Sequence, residues 1–479
     1  MARRSDDQID DFVSRLVRWA VANDERRRGG EGDPTPDEPT APVSVGAIAA
    51  AWGTLKFLFV AVTTPVWSPI TAVRAIVNHR RARRLTAAHP DVIRDVRAGR
   101  TPPPPGNRVE RIDSEIRLFI SSDIHRSVSG RTDWPRRQGT KFLYDAMLDH
   151  YADDEWHLCE NGDIEDFWQI GGSTYGALYD AMRVLGGVLE IFDRPRLLTS
   201  IYRAHVDRVV DNNRATYDRL ASSFSLAGRY YRTVGNHDSP LSRSAVASRL
   251  RDHLGRVSVV DHIALVDASG EMRCFISHGH HTDGWCAPER DGLGRLSTWL
   301  ANTLVDVPLM NTPEGLPPEN ATETLLSSAS NRLLTVNSTF GANATYDSLD
   351  EELLFEALEP LVDDGLWILL GHTHIPLFEP WSRNGRRWTH YVNSGSGVTR
   401  ELVTGIEWDG TGPEPVVRLV AWTYADDMTP PEAVVTADRH GRPVARFELT
   451  PGVTGRLHPT PSRSPRHAVG TDEGQLTPV

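Results

Sequence analysis

Cysteine is almost missing from this chain of 479 residues: Cys159, Cys274 and Cys286 are the only three, and no Cys-x-x-Cys pair occurs. Their scarcity excludes a disulfide-stapled scaffold, a zinc ribbon and a dithiol redox motif, and suits a reducing compartment. Lysine is nearly absent too, with Lys56 and Lys141 alone, a bias from which no function follows. Positive charge is in deficit: 52 basic residues against 64 acidic ones give a net charge of -12. General nucleic-acid binding is therefore not expected. A cleaved secretory signal is not expected either, because ~40 mostly charged residues precede any apolar stretch. Long apolar runs are few. Pro42 to Leu55 and Phe57 to Val73 are split by Lys56, and the second contains Pro65 and Pro69, so neither is a clean bilayer span.

What remains is ordinary globular material, 39% hydrophobic and 24% charged, enough for a large core. Ile9, Phe12, Val13, Leu16, Val17 and Ala20 recur at helical spacing and predict an amphipathic helix over residues 8–28, followed by a Gly/Pro/acid linker at 29–42. Together they make an N-terminal unit over 1–41. Residues 42–100 form an apolar segment with a basic flank (His79 to Arg84), open to three readings: packing on the main domain, a monotopic or hairpin membrane anchor, or a transmembrane helix. The stiff TPPPPG stretch at 101–106 predicts a domain boundary. From there a catalytic domain is expected over 107–427, with insertions at about 167–228 and 283–349 that shape a substrate pocket. Residues 428–479 read as an extension with a disordered end.

Short apolar runs within 107–427 each end in polar side chains. Ile116–Ile120 leads into Asp123 and His125, and Trp156–Cys159 into Asn161, Gly162, Asp163 and Asp166. Tyr230–Val234 leads into Gly235, Asn236, His237 and Asp238; Met272–Ile276 into His278, His280 and His281; Leu366–Leu370 into Gly371, His372 and His374. Strand positions i and i+2 share a face, so pairs such as Asp123 and His125 can aim two ligands at one point. Five strand ends delivering carboxylate, imidazole and amide groups form an oxygen and nitrogen cage suited to metal ions. Glycines at 162, 235 and 371 allow sharp turns there.

This ordered set resembles the calcineurin-like metallophosphoesterase superfamily, with its Asp-x-His, Gly-Asp-x-x-Asp, Gly-Asn-His-Asp/Glu, His and Gly-His-x-His blocks, over about residues 112–425. The resemblance implies an α+β fold, a four-layer α/β/β/α sandwich, here with helical insertions and an N-terminal helical arm. It implies two divalent ions, Mn, Fe or Zn. One would be held by Asp123, His125, Asp163 and His374, the other by Asp163, Asn236, His278 and His372, with Asp163 bridging. Such a pair clamps a phosphate and lowers the pKa of water, supplying hydroxide for in-line attack. His237 is then placed to protonate the leaving oxygen. Asp238 is expected to orient His237, Asp166 to hold a ligand histidine, His280 to support the site or touch substrate, and Arg126 to contact phosphate or remain solvated. Cys159 reads as core.

Asn161 to Trp168, Gly371 to Pro376 and Asn393 to Ser396 look like the branch containing UDP-2,3-diacylglucosamine pyrophosphatases, although His280 stands where that group usually has aspartate. The implied substrate is a phosphodiester or diphosphate, on a membrane-associated molecule. A phosphomonoesterase or nucleotide phosphodiesterase is the runner-up, and a non-catalytic scaffold the remote one. A cytoplasmic location, peripheral at or anchored to the inner face of the membrane, goes with the main reading.

Overall fold

The structure, a computed structural model, describes residues 2–27, 51–56, some positions between 58 and 86, 88–102, 108–283 apart from short breaks, 286–287 and much of 358–459. The predicted linker, most of the second apolar run, the second insertion from residue 288 and the C-terminal residues 460–479 lie outside the described residues.

Two mixed sheets face each other. The smaller runs β1 (Val109–Asp113), β6 (His262–Val266), β7 (Met272–Ser277), β8 (Trp367–Leu370), β10 (Tyr391–Ser394), β9 (Pro376–Phe378). The larger runs β13 (Val434–Ala437), β14 (Pro443–Pro451), β12 (Val416–Tyr424), β11 (Leu402–Asp409), β2 (Arg117–Ser121), β3 (His157–Asn161), β4 (Tyr230–Thr233), β5 (Ser258–Val260), with β15 (Leu457–Pro459) paired to β14. Strand alternation divides the apolar residues between faces. In β12, Leu419 and Ala421 enter the core between the sheets, while Val420 and Trp422 point outward. In β8, Leu369 points inward, and Ile368 and Leu370 outward.

Helices cover both outer faces, which completes the four layers. On the large sheet lie α2 (Lys141–Asp153), α3 (Thr174–Ile191), α4 (Arg196–Asn212), α5 (Arg214–Arg219) and α6 (Ser244–Leu254). On the small sheet, Ile93 and Val96 of a helical stretch at 88–97 pack with Phe275 and Ile368. The N-terminal arm is α1 (Ala2–Arg27), which buries Val13, Val17 and Ala20 in the helical layer. Its Asp24 carboxylate accepts from the backbone N–H groups of Thr174 and Tyr175 at 2.8 and 2.9 Å, satisfying orphan donors at the start of α3. Lys56, which interrupts the apolar segment, is buried and ion-paired to Asp180 of α3 at 3.3 Å. Among the described residues, no helix is long and apolar enough to cross a membrane.

The structure moves both expected boundaries. β14 pairs with β12 from Leu419↔Leu449 to Tyr424↔Val444, so the large sheet continues past residue 427; Pro430, Pro431 and Pro443 disguise it. Upstream, residues 88–97 supply part of the fourth layer and so belong to the sandwich, ahead of the proline stretch.

Trp408 of β11 is 1% exposed between the sheets, and its Nε1–H donates to the Ser114 carbonyl at 3.0 Å. Trp408→Ala should therefore cost about 3–5 kcal/mol, read by equilibrium urea denaturation. A loss below about 1 kcal/mol would contradict this packing of the two sheets.

Candidate metal centre at the strand ends

β2, β3 and β4 are parallel neighbours in one sheet, as are β7 and β8 in the other, so the polar loops that follow them gather at one edge of the sandwich. The first two loops stay hydrogen-bonded beyond their strands. Asp123 N–H donates to Gly162 O (3.1 Å), His125 N–H to Asp163 O (2.9 Å), Arg126 N–H to Ile164 O (2.7 Å), and Asp166 N–H returns to Arg126 O (2.8 Å). The expected strand alternation does not aim the ligands. Asp123, His125, Asp163, His372 and His374 all adopt left-handed backbone, with φ of 55°, 53°, 53°, 74° and 60°. That conformation costs an L-residue about 1–2 kcal/mol, and its repetition here marks a site held under strain. Glycine is required for space at Gly162 and Gly235, as it is at Gly371, where a Cβ would overlap Ser122 Oγ. A Cβ on Gly162 would sit 2.6 Å from the His278 ring, and one on Gly235 would overlap the Asp163 carboxylate.

Three groups of donors converge: Asp123 with His125 and His374, His125 with Asp163 and His237, and Asp163 with His278 and His372. His374 Nε2 lies 3.1 Å from Asp123 Oδ1 and 3.3 Å from His125 Nε2, and His278 Nε2 lies 3.3 Å from Asp163 Oδ2. Asp163, present in two groups, joins the two halves. Asp123 Oδ1 and His278 Nε2 are buried with these ion-pair contacts as their close polar neighbours, and Asn236 Oδ1 is buried without a hydrogen bond, a state that calls for an ion or water. The Asn161 carbonyl lies 2.8 Å from His278 Nδ1, an arrangement that leaves Nε2 as the ligating nitrogen. Burial disfavours charge on His278, yet Asp163 and Asp123 outweigh it and push its pKa up to about 10. For His125, burial and the neighbouring His237 push the pKa down, toward the neutral imidazole that ligates. Carboxylates, imidazoles and an amide oxygen are a donor set that divalent metal ions accept.

His237 stands at the edge of this cluster, its backbone N–H on Asp163 Oδ1 at 2.7 Å and its ring stacked on Trp168 at 4.4 Å. Asp166 is its partner, with Oδ1 3.1 Å from His237 Nδ1 and Oδ2 3.4 Å from His125 Nδ1. Burial opposes charge on His237, but Asp166 and then Asp163 prevail and push its pKa up to about 9. The expected role of Asp238 is corrected. Its carboxylate accepts from the backbone N–H groups of Gly235 and Ile164 (2.5 and 3.1 Å), so it ties two loops together and leaves His237 to Asp166.

Arg126 is corrected too. It is 2% exposed, paired with Glu160 at 2.5 Å and enclosed by the rings of Tyr144 and Tyr217, so it contacts neither solvent nor substrate. It belongs to a buried network with Glu160, Glu165 and Arg232 beneath the site, where Arg232 pairs with Glu165 and lies 3.5 Å from both Glu160 and Asp238. The sequence reading missed this network; the only signal was charge within apolar strands, at Glu160 and Arg232. His280 is 3% exposed and packs ring to ring with His278 and His281, which selects a supporting place over a substrate contact. Cys159 lies in the core between the sheets.

In the metal-free protein, Asp166→Asn should lower the His237 pKa from about 9, because the largest of the charges that oppose its burial is removed while Asp163 and Asp123 remain. Imidazole NMR titration reads this directly. Since the raised pKa stabilises the fold below about 6.5 and that contribution disappears as pH rises through about 9, the variant should also lose stability mainly at neutral and lower pH. An unmoved His237 titration would mean that Asp166 is not its partner.

No family model and no curated protein matches the sequence. Among solved structures, the chain is similar to one described as a novel archaeal phosphodiesterase, at 12% identity and a TM-score of 0.25, over 64% of this chain and 99% of that one.

Proposed function

We propose that this protein is a dinuclear, metal-dependent phosphoesterase of the calcineurin-like type that hydrolyses a phosphodiester or diphosphate bond. The observation that carries the reading is the membership of Asp163 in two adjoining donor groups, with the buried Asn236 Oδ1, which makes no hydrogen bond, in the same cluster of loops. One ion would be held by Asp123, His125, Asp163 and His374, the other by Asp163, Asn236, His278 and His372. Two divalent cations here supply Lewis acidity toward a phosphoryl oxygen and acidify water.

The protein's own contribution is shape and proton inventory. His237, His372 and His374 have side chains 13%, 16% and 26% exposed, whereas those of Asp123, Asp163 and His278 are at most 2% exposed, so substrate meets the site on the imidazole side. His237, kept charged and oriented by Asp166 and supported by Trp168, gives its proton to the leaving oxygen. The motif resemblance to UDP-2,3-diacylglucosamine pyrophosphatases makes a nucleotide diphosphate linked to a lipid the first substrate to try.

Asp163→Ala should abolish metal loading and hydrolysis together. His237→Ala should lower turnover about 10²–10⁴-fold while both ions remain bound. Elemental analysis and assays with Mn²⁺ on aryl phosphate mono- and diesters and nucleotide diphosphate sugars check these outcomes. Loss of metal from the histidine variant would sink the division of roles, and a strict monoesterase profile would sink the choice of bond.

The reading extends to work at a membrane surface. Phe12 and Trp19 of α1, with Leu55, Leu58, Phe59 and Val62 of the apolar segment, are all more than half exposed except Trp19, at 50%. An apolar groove of about 440 Å³ lies between Trp19, Trp52, Leu55 and Leu178. Solvent-facing apolar residues ahead of a basic cluster suit insertion among anionic headgroups. The full chain should co-sediment with phosphatidylglycerol vesicles, and Trp19→Glu with Phe59→Glu should release it. Protein left in the supernatant at every anionic fraction would overturn this extension.

A further inference from the structure

His372 looks two ways. Besides the group with Asp163 and His278, it belongs to a second one with Asp283 and Cys286, whose donor oxygen, sulfur and nitrogen atoms all lie within 4.8 Å of one another. Asp283 is buried, 4% exposed, and its Oδ2 lies 3.1 Å from His372 Nε2. The local backbone explains how Asp283 and Cys286 come to face the same ring. Ala287 N–H donates to the Asp283 carbonyl at 3.1 Å, which holds Cys286, its neighbour in the chain, close to Asp283.

We infer that Asp283, Cys286 and His372 form a further cation site beside the proposed pair, one that takes a thiophilic ion such as Zn²⁺ in preference to Mn²⁺. Selectivity follows from the donors. The seven side chains assigned to the pair offer only oxygen and nitrogen, whereas a thiolate favours zinc, cobalt and cadmium over manganese. Three protein donors of mixed type leave a fourth tetrahedral position for water. Binding requires the Cys286 proton to leave to solvent as the sulfur–metal bond forms; no oxidant or reductant enters. Because His372 is shared, zinc in this site draws on a side chain assigned to the second ion, so excess zinc opposes loading of the pair. The inference shares that one residue with the phosphoesterase reading but stands on its own three side chains.

The test uses the full chain stripped of metal and titrated with Co²⁺. Wild type should develop a sulfur-to-cobalt charge-transfer band in the near ultraviolet. The band should vanish in Cys286→Ser and weaken in Asp283→Ala. Cys159 and Cys274 are buried in the core between the sheets and cannot supply it. In unmodified protein, Zn²⁺ should slow alkylation of Cys286 about tenfold or more, since the free thiolate is the reacting species, whereas Mn²⁺ should not. A wild type without the band, a band that survives Cys286→Ser or is unchanged by Asp283→Ala, or a Cys286 that zinc does not protect would overturn the site. None of these readouts depends on phosphoester hydrolysis, so its failure and the failure of the enzymatic reading are separable.

Discussion

Two buried carboxylates, Asp123 and Asp163, face the same small volume at the edge of the sandwich, and the rest of the site is arranged around the cost of putting them there. Like charges out of water repel strongly and need positive charge nearby. In the protein alone that charge is borne by protons. Burial should discharge both His278 and His237, yet Asp163 and Asp123 push the first up to about 10, and Asp166, followed by Asp163, pushes the second up to about 9. A cluster that forces protons onto buried imidazoles is a cluster with surplus negative charge, the electrostatic condition for binding divalent ions. The left-handed bends at five of its donor positions are tolerated because hydrogen bonds on both sides fix the loops.

Beneath this layer lies a second electrostatic problem with its own solution. Arg126 and Arg232 are buried with Glu160 and Glu165, and Tyr144, Tyr217 and Tyr230 donate their hydroxyls to the two glutamates. A buried ion network of this kind is weak evidence for stability, since apolar replacements can be as stable. Its value here is positional. Arg126 follows His125 directly, Glu165 lies two residues past Asp163, and Arg232 is on β4 ahead of Asn236, so one network fixes three of the loops that carry the proposed ligands. Asp238 adds a further tie through its two backbone N–H donors.

The sequence made the cluster of donor side chains readable and left its scaffolding obscure, for a physical reason. Strand-end donors stand at the close of apolar runs, and their order along the chain shows without coordinates; the structure brings Asp123, His125, Asp163, His278, His372 and His374 together in adjoining groups. The two-sheet, helix-flanked architecture was also legible, since the apolar runs and the insertion at 167–228 have the periods of strands and helices. Charge, however, does not announce its burial. Arg126 reads as a surface arginine near a phosphate until the rings of Tyr144 and Tyr217 are seen to enclose it, and these are distant in sequence. Asp238 adjoins His237 in sequence, but Asp166 reaches the ring. Conformation was likewise hidden: nothing in an Asp-x-His triplet says that both residues leave the strand in left-handed backbone.

One coupling emerges only when the layers are considered together. The Asp166 carboxylate sets the charge and orientation of His237, while its backbone carbonyl lies 2.9 Å from His205 Nε2, on α4. His205 is joined to Tyr175 at 3.1 Å, and Tyr179 donates its hydroxyl to the Phe167 carbonyl at 3.1 Å, so α3 and α4 grip the loop from Asp166 to Trp168. The start of α3, at Thr174 and Tyr175, is in turn capped by Asp24 of the N-terminal arm. The exposed apolar face of that arm and the proposed proton donor therefore lie at two ends of a single packed and hydrogen-bonded unit. A surface that engages through Phe12 and Trp19 thus meets a body that is continuous with the site, and α1 need not reach the strand ends to position substrate relative to His237.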